Sequence, residues 1–184
     1  LYAQVHLTLP AWIHHEIDHQ KLYTDETEQM ALAIQLSALN VCEQTGGPFG
    51  AALFSESGRL LGVGVNRVIP TNCSTAHAEI MAFATAQQRI QQYRLNEMGE
   101  RVTLASSSQP CAMCYGASFW AGIDRILIGA RSADVQTLAG FDEGPLPADW
   151  LGEWQNRGIS VKCDLLREQA CAILKEYGES GLVY

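Results

Sequence analysis

Residues 101–128, RVTLASSSQPCAMCYGASFWAGIDRILI, decide the fold. Arg101 to Ala105 reads as a short strand, and Arg125 to Ile128 as a second one. Between them, Pro110 to Ala121 reads as a helix with proline in its first turn, where a missing N–H is no loss. Strand, helix and strand in so short a span make a βαβ-like unit, and such units place their strands parallel in one sheet.

The flanking chain extends that sheet. Upstream, Thr24 or Asp25 suits an N-cap for a helix whose wide apolar face is Leu32, Ile34, Leu36, Leu39 and Val41, ending near Gly46-Gly47. Ala51 to Phe54, the turn Ser55-Glu56-Ser57-Gly58, and Leu61, Val63 and Val65 at alternate positions predict a β-hairpin. Ser74 or Thr75 then suits an N-cap for a helix from about Ala76 to Tyr93, amphipathic through Ile80, Met81 and Phe83. Downstream come a helix over Ser132 to Leu138, a Gly/Pro loop from Gly140 to Pro147, a fifth strand from Ile159 to Cys163, and a closing helix marked by Leu166, Ala170, Ile173, Leu174 and Tyr177. The expected fold is α/β: a three-layer α/β/α sandwich around a five-stranded mixed sheet, the hairpin forming its antiparallel part. Ligands are expected at helix N-termini near the strand ends.

A chain of 184 residues with 47% hydrophobic and 17% charged residues buries a full core, so residues 1–184 are read as one domain with 1–23 as an N-terminal extension. No stretch is long and apolar enough to span a bilayer. The net charge of -8 disfavours a polynucleotide substrate, because such binding rests on Lys and Arg neutralising phosphates. Six cysteines, at 42, 73, 111, 114, 163 and 171, follow no secretory leader pattern, so a reducing, cytoplasmic setting is expected, without disulfides.

His77, Cys111 and Cys114 supply the three protein ligands of a catalytic zinc site, which keeps its fourth position open to water. The Cys-x-x-Cys spacing puts both sulfurs on one face of a first helical turn. His77 and Glu79 are two residues apart and diverge on a regular helix, so the ion must lie off that helix's N-terminal end. Both ligand sets then sit at helix N-termini, whose positive dipole ends favour thiolates. Glu79 is not needed as a ligand and is free to carry protons. Two other readings compete: a structural zinc knot, which needs a fourth protein ligand, and a redox Cys-x-x-Cys, which leaves His77-Ala78-Glu79 unexplained. A second motif, His15-Glu16-Ile17-Asp18-His19, matches the metalloprotease pattern H-E-x-x-H, but it lies in an unpatterned segment with no third ligand close downstream.

His-x-Glu followed by Pro-Cys-x-x-Cys is the zinc deaminase signature. From Gly47 onward the chain resembles bacterial guanine deaminases of the cytidine/deoxycytidylate deaminase superfamily. The resemblance is strongest in Gly47-Pro48-Phe49-Gly50, Asn66-Arg67, His77-Ala78-Glu79, Pro110 to Trp120 and Gly140-Phe141-Asp142-Glu143-Gly144-Pro145. It implies a cytidine deaminase-like fold, one zinc per chain, and hydrolysis of guanine to xanthine and ammonia with Glu79 and Glu143 as proton carriers. It also implies base contacts from Asn66 and the Ala78 backbone N–H, an aromatic contact from Phe49 or Trp120, and a homodimer. The tail 178–184 is implied as a lid with Tyr184 over the site.

By residue type alone, Glu143 reads as a loop acid, Asn66 as a turn residue, and Phe49 and Trp120 as core. Gln109 stands where many relatives carry glutamate. Deamination of a nucleoside, cytosine or an aminotriazine such as ammeline stays open, as do tRNA adenosine deamination and a non-catalytic zinc-binding module.

Overall fold

The computed structural model describes residues 3–181. Its helices are α1 (Ile13–Glu16), α2 (Glu26–Cys42), α3 (Val68–Thr71), α4 (Ala78–Ile90), α5 (Ala112–Ala121), α6 (Ser132–Ala139), α7 (Trp150–Asn156) and α8 (Arg167–Glu179). A 3₁₀ turn covers Leu95–Met98. The strands β1 (Gly50–Ser55), β2 (Leu60–Val65), β3 (Val102–Ser108), β4 (Arg125–Ala130) and β5 (Ser160–Lys162) form one sheet in the order β2-β1-β3-β4-β5. β1 runs antiparallel to β2 and β3, whereas β3, β4 and β5 are parallel. This is the expected mixed sheet with the hairpin as its antiparallel part.

Helices cover both faces. On one, α2 and α8 bury Met30, Leu36 and Leu174 against Phe54, Val65 and Leu127. On the other, α4, α5 and α7 bury Phe83, Tyr115 and Trp154 against Leu53, Leu104 and Ile126. The hairpin strands are buried at every position, so their alternation is not one of core against solvent. In β2 it is one of size. Gly62 and Gly64 alternate with Val63 and Val65 because α4 lies directly on the glycines. A Cβ on Gly64 would sit 2.0 Å from the carbonyl oxygen of Ala78, a backbone atom that cannot swing aside. The residues 3–23 are likewise joined to the fold, with Ile13, Ile17 and Tyr23 in the core.

Several boundaries differ from the sequence reading. Asp25 is the N-cap of α2, its carboxylate accepting from the N–H groups of Thr27 and Glu28. Helix α4 begins later than Ser74 or Thr75 suggests: the chain turns at Cys73–Ala76, where the Ala76 N–H donates to Cys73 O, and His77 becomes the N-cap. Pro110 precedes α5, with Cys111 as N-cap. Helix α7 falls in a stretch given no element from sequence; Asp149 caps it by accepting from the Gly152 N–H, and fully buried Trp154 anchors it.

The His15–His19 motif does not form a metal site. Helix α1 ends at Glu16, Ile17 is extended, and the two histidines share no helix face. Among the described residues, no metal-competent cluster includes them.

Ion pairs tie the C-terminal part together. Arg167 grips Asp134 with two bonds of 2.7 Å, and Arg131 grips Asp164 at 2.7 and 2.6 Å. The Arg167 guanidinium holds the Asp134 carboxyl at about 2, below its ordinary 3.8. A depressed carboxyl pKa stabilises the fold above the unfolded value and stops doing so as pH falls through the folded one. Because Arg167 is more than a third exposed, solvent screening reduces the effect to about 1 kcal/mol. Asp134→Asn is therefore expected to lower Tm by about 2–4 °C at pH 7, with the difference shrinking between pH 4 and pH 2 in thermal melts.

Candidate metal centre and active site

The site lies at one end of the sheet, where β1 begins, β2 and β3 end, and the N-termini of α4 and α5 converge. His77 is extended (φ -71°, ψ 160°), so its ring leaves the axis of α4 ahead of the first turn. Cys111 is extended too (φ -64°, ψ 171°), while Cys114 is in the first turn of α5 and fully buried. The ligand atoms of His77, Cys111 and Cys114 lie within 4.8 Å of one another, with His77 Nδ1 3.5 Å from Cys111 Sγ. Two atoms bound to a common tetrahedral zinc at 2.1–2.3 Å stand about 3.6 Å apart, so the three donors fit such an ion. The donor chemistry agrees. Hydrogen bonds with Cys114 and then His77 pull the Cys111 thiol down to about 4, favouring the thiolate that binds a metal.

Glu79 is in the first turn of α4 and 6% exposed. Ser106 Oγ donates to Glu79 Oε1 at 3.1 Å, fixing the carboxyl beside the sulfurs rather than among them. Burial, then the negative charge of Cys111, raises its pKa.

Glu143 reaches the same space from the loop after α6. Asp142 Oδ1 accepts from the Gly144 N–H at 2.9 Å, and Gly144 takes φ +70°, which suits glycine. The resulting turn aims the Glu143 carbonyl at α5, where it accepts from the Ala112 N–H at 2.9 Å. The loop is thus joined by its backbone to the helix that bears the cysteines. Burial raises the Glu143 carboxyl to about 8, with the charges of Glu79 and Cys111 adding to the effect.

These groups face a cavity of about 180 Å³ whose lining also includes Phe49, Asn66, Ala78, Ser108, Gln109 and Phe141. A 150 Å³ cavity holds a benzene molecule, so this space suits one planar heterocycle. Asn66 is 1% exposed, and its side-chain oxygen accepts from the Val68 N–H, which leaves the NH₂ group as the donor it presents. Ala78 is the first residue of α4, so its N–H has no acceptor within the helix. Phe49 packs edge-on against Phe141, ring centroids 5.2 Å apart. Gln109 Oε1 accepts from the Ser132 N–H at the start of α6, a bond a carboxylate would also make; the neutral side chain keeps the acceptor and omits the charge.

Trp120 must be corrected. It is 78% exposed and lines a surface groove between α4 and α5, not the cavity. The reason is helical phase: Cys114, Ser118 and Ala121 define the buried face of α5, and Trp120 lies off it. Phe141 supplies the second aromatic wall instead. Tyr184 lies outside the described residues. Sequence reasoning also passed over Ser106 and Ser108, which became readable only once Glu79 was placed against β3.

Residues 23–130 match the model of the cytidine and deoxycytidylate deaminase zinc-binding region. The chain belongs to that family. Among curated relatives it is 35% identical over 111 residues to a guanine deaminase of Bacillus subtilis, covering 60% of this chain and 67% of that one. It is 33% identical over 130 residues to a tRNA-specific adenosine deaminase of Buchnera aphidicola, covering 71% and 79%. The solved guanine deaminase from Nitrosomonas europaea superposes with a TM-score of 0.92 at 38% identity, covering 97% of this chain and 98% of that one. A solved variant in complex with 8-azaguanine matches as closely, with a TM-score of 0.92, 38% identity and 98% of both chains covered.

Zinc is the metal of this family, and the three donors fit it. Cys114→Ala is expected to abolish zinc retention through gel filtration, read by elemental analysis. Activity should fall about 10³-fold, the scale of several kcal/mol supplied by a catalytic metal.

Proposed function

We propose that this chain is a zinc-dependent hydrolase that converts guanine to xanthine and ammonia. The observation that carries the reading is a cavity in which a buried carboxyl, Glu79, and a half-buried one, Glu143, face the space beside three zinc-competent donors. The guanine deaminases it resembles over nearly its whole length support the substrate. Zinc held by His77, Cys111 and Cys114 supplies Lewis acidity that makes a water acidic near neutral pH.

The remaining chemistry belongs to the chain. Phe49 and Phe141, packed edge-on against each other, give the base an aromatic wall, and the Asn66 NH₂ and Ala78 N–H groups donate to its edge. Glu79 takes a proton from the attacking water as the bond from oxygen to C2 forms. A ring nitrogen takes up a proton as that addition occurs. When the bond from C2 to the exocyclic nitrogen breaks, the hydroxyl on C2 gives up its remaining proton to become the carbonyl and the departing amine takes one. The two protons of water thus end on the ring nitrogen and on ammonia, with Glu79 and Glu143 dividing the transfers. Burial suits both carboxyls to the work by raising their pKa values.

A tRNA substrate suits this chain less well, given the net charge of -8 and a cavity sized for one ring system. The decisive measurement is ammonia release across purines, pyrimidines, nucleosides, triazines and a tRNA anticodon stem-loop. Guanine should be turned over fastest, Glu79→Gln should lose about 10²–10⁴-fold in kcat, and Glu143→Ala about 10²-fold. Turnover of another substrate with none of guanine would overturn the assignment.

Further proposals follow from the same reading. Residues 1–184 act as one deaminase domain, working in purine metabolism in a reducing cytoplasm that suits the cysteines, all free among the described residues. The chain is a homodimer, supported by an apolar surface groove with Ile80, Phe83, Tyr93, Ala117 and Trp120 on and beside the helices that carry the site. Light scattering should give twice the chain mass of 20.1 kDa, and Trp120→Glu should shift the protein toward monomer.

A further inference from the structure

Strand β3 ends in three consecutive serines, and their hydroxyls meet different fates. Successive side chains on a strand point to opposite faces, so Ser106 and Ser108 share one face and Ser107 occupies the other. Ser106 donates to Glu79, and Ser107 accepts from the Gly50 N–H at 3.1 Å, where β1 begins. Ser108 is 4% exposed, lines the cavity, and has no hydrogen-bond partner for its buried hydroxyl. A fully buried side-chain polar atom without a partner is rare in folded proteins, and among the described residues only Trp154 Nε1 shares this condition.

We infer that Ser108 is a substrate-recognition residue whose hydroxyl hydrogen-bonds an in-plane ring nitrogen of the bound base. Its position supports this. It is two residues from Ser106 on the same strand face and lines the same cavity as Glu79, the carboxyl that works on the base. Of the other polar groups on the cavity, Asn66 and Ala78 donate, the two glutamates move protons, and Gln109 and Asp142 each have a side-chain oxygen engaged by the backbone, at Ser132 and Gly144. A hydroxyl both donates and accepts, so it serves either an unprotonated ring nitrogen or a ring N–H. An aliphatic side chain here would leave that edge of a polar base unpaired, which makes Ser108 a determinant of which heterocycles bind.

This inference rests on the guanine reading, and one set of measurements separates the two. Ser108→Ala removes a single buried oxygen with no partner to lose, so without ligand its Tm should equal or exceed that of the wild type. Zinc content should be unchanged. KM for guanine should rise about 5- to 10-fold with kcat within twofold, and Ser108→Cys, nearly isosteric with a weak donor, should fall between. Inhibition by 3-deazaguanine and 7-deazaguanine, each lacking one ring acceptor, identifies the bonded atom: the analogue without it should bind wild type and Ser108→Ala equally.

A fall of several degrees in the ligand-free Tm would show a structural serine and overturn the proposal. So would an unchanged KM; an equal loss for guanine and both analogues supports the proposal with a ring N–H as the bonded group. If the wild type releases no ammonia from guanine, the substrate reading has failed instead. The same comparison of KM, made on whichever base the protein does turn over, then supports or overturns the role of Ser108.

Discussion

Every distance at the site depends on how closely α4 lies on β2. With no Cβ at Gly64, the carbonyl of Ala78 rests where a methyl group would otherwise be. Ala78 is the residue between His77 and Glu79, so its contact with the strand settles both neighbours together. His77 is left extended ahead of the helix, with its ring free to approach Cys111, and Glu79 is pressed inward to Ser106 on β3. Lifting the helix by the width of one methyl group would separate the imidazole from the sulfurs and the carboxyl from its serine, although neither residue had been changed.

Two helix N-termini meeting at one point create an electrostatic environment that the acidic side chains alone would make untenable. Glu79, Glu143 and the Cys111 sulfur crowd into a small, mostly enclosed space, and each raises the cost of charging the others. The positive ends of α4 and α5 and a bound cation offset that repulsion. The carboxyls differ in how they are held: Glu79 is bonded to a strand serine deep in the fold, whereas Glu143 is on a loop fastened through its own backbone.

The metal donors were legible because ligand chemistry imposes residue type and spacing together, and because the divergence of His77 and Glu79 on a helix already required an ion off its end. Sheet order followed from the βαβ unit and the hairpin. Trp120 was misplaced because an aromatic residue inside a matching motif carries no sign of helical phase; the buried series Cys114, Ser118 and Ala121 fixes that phase. Helix α7 is too short for its apolar spacing to show a period, and only Trp150 and Trp154, one turn apart, hint at it. A run of three serines announces nothing until the strand's alternation and the position of Glu79 assign each hydroxyl a direction.

The loop bearing Glu143 touches the cysteine helix through one main-chain bond, from Ala112 to the Glu143 carbonyl, and no side chain of the metal set takes part in it. The joint itself asks nothing of the Glu143 side chain, which the Asp142–Gly144 turn leaves directed to the cavity. One of the two proton carriers is therefore held apart from the metal donors, on a piece of chain that joins them only through the backbone.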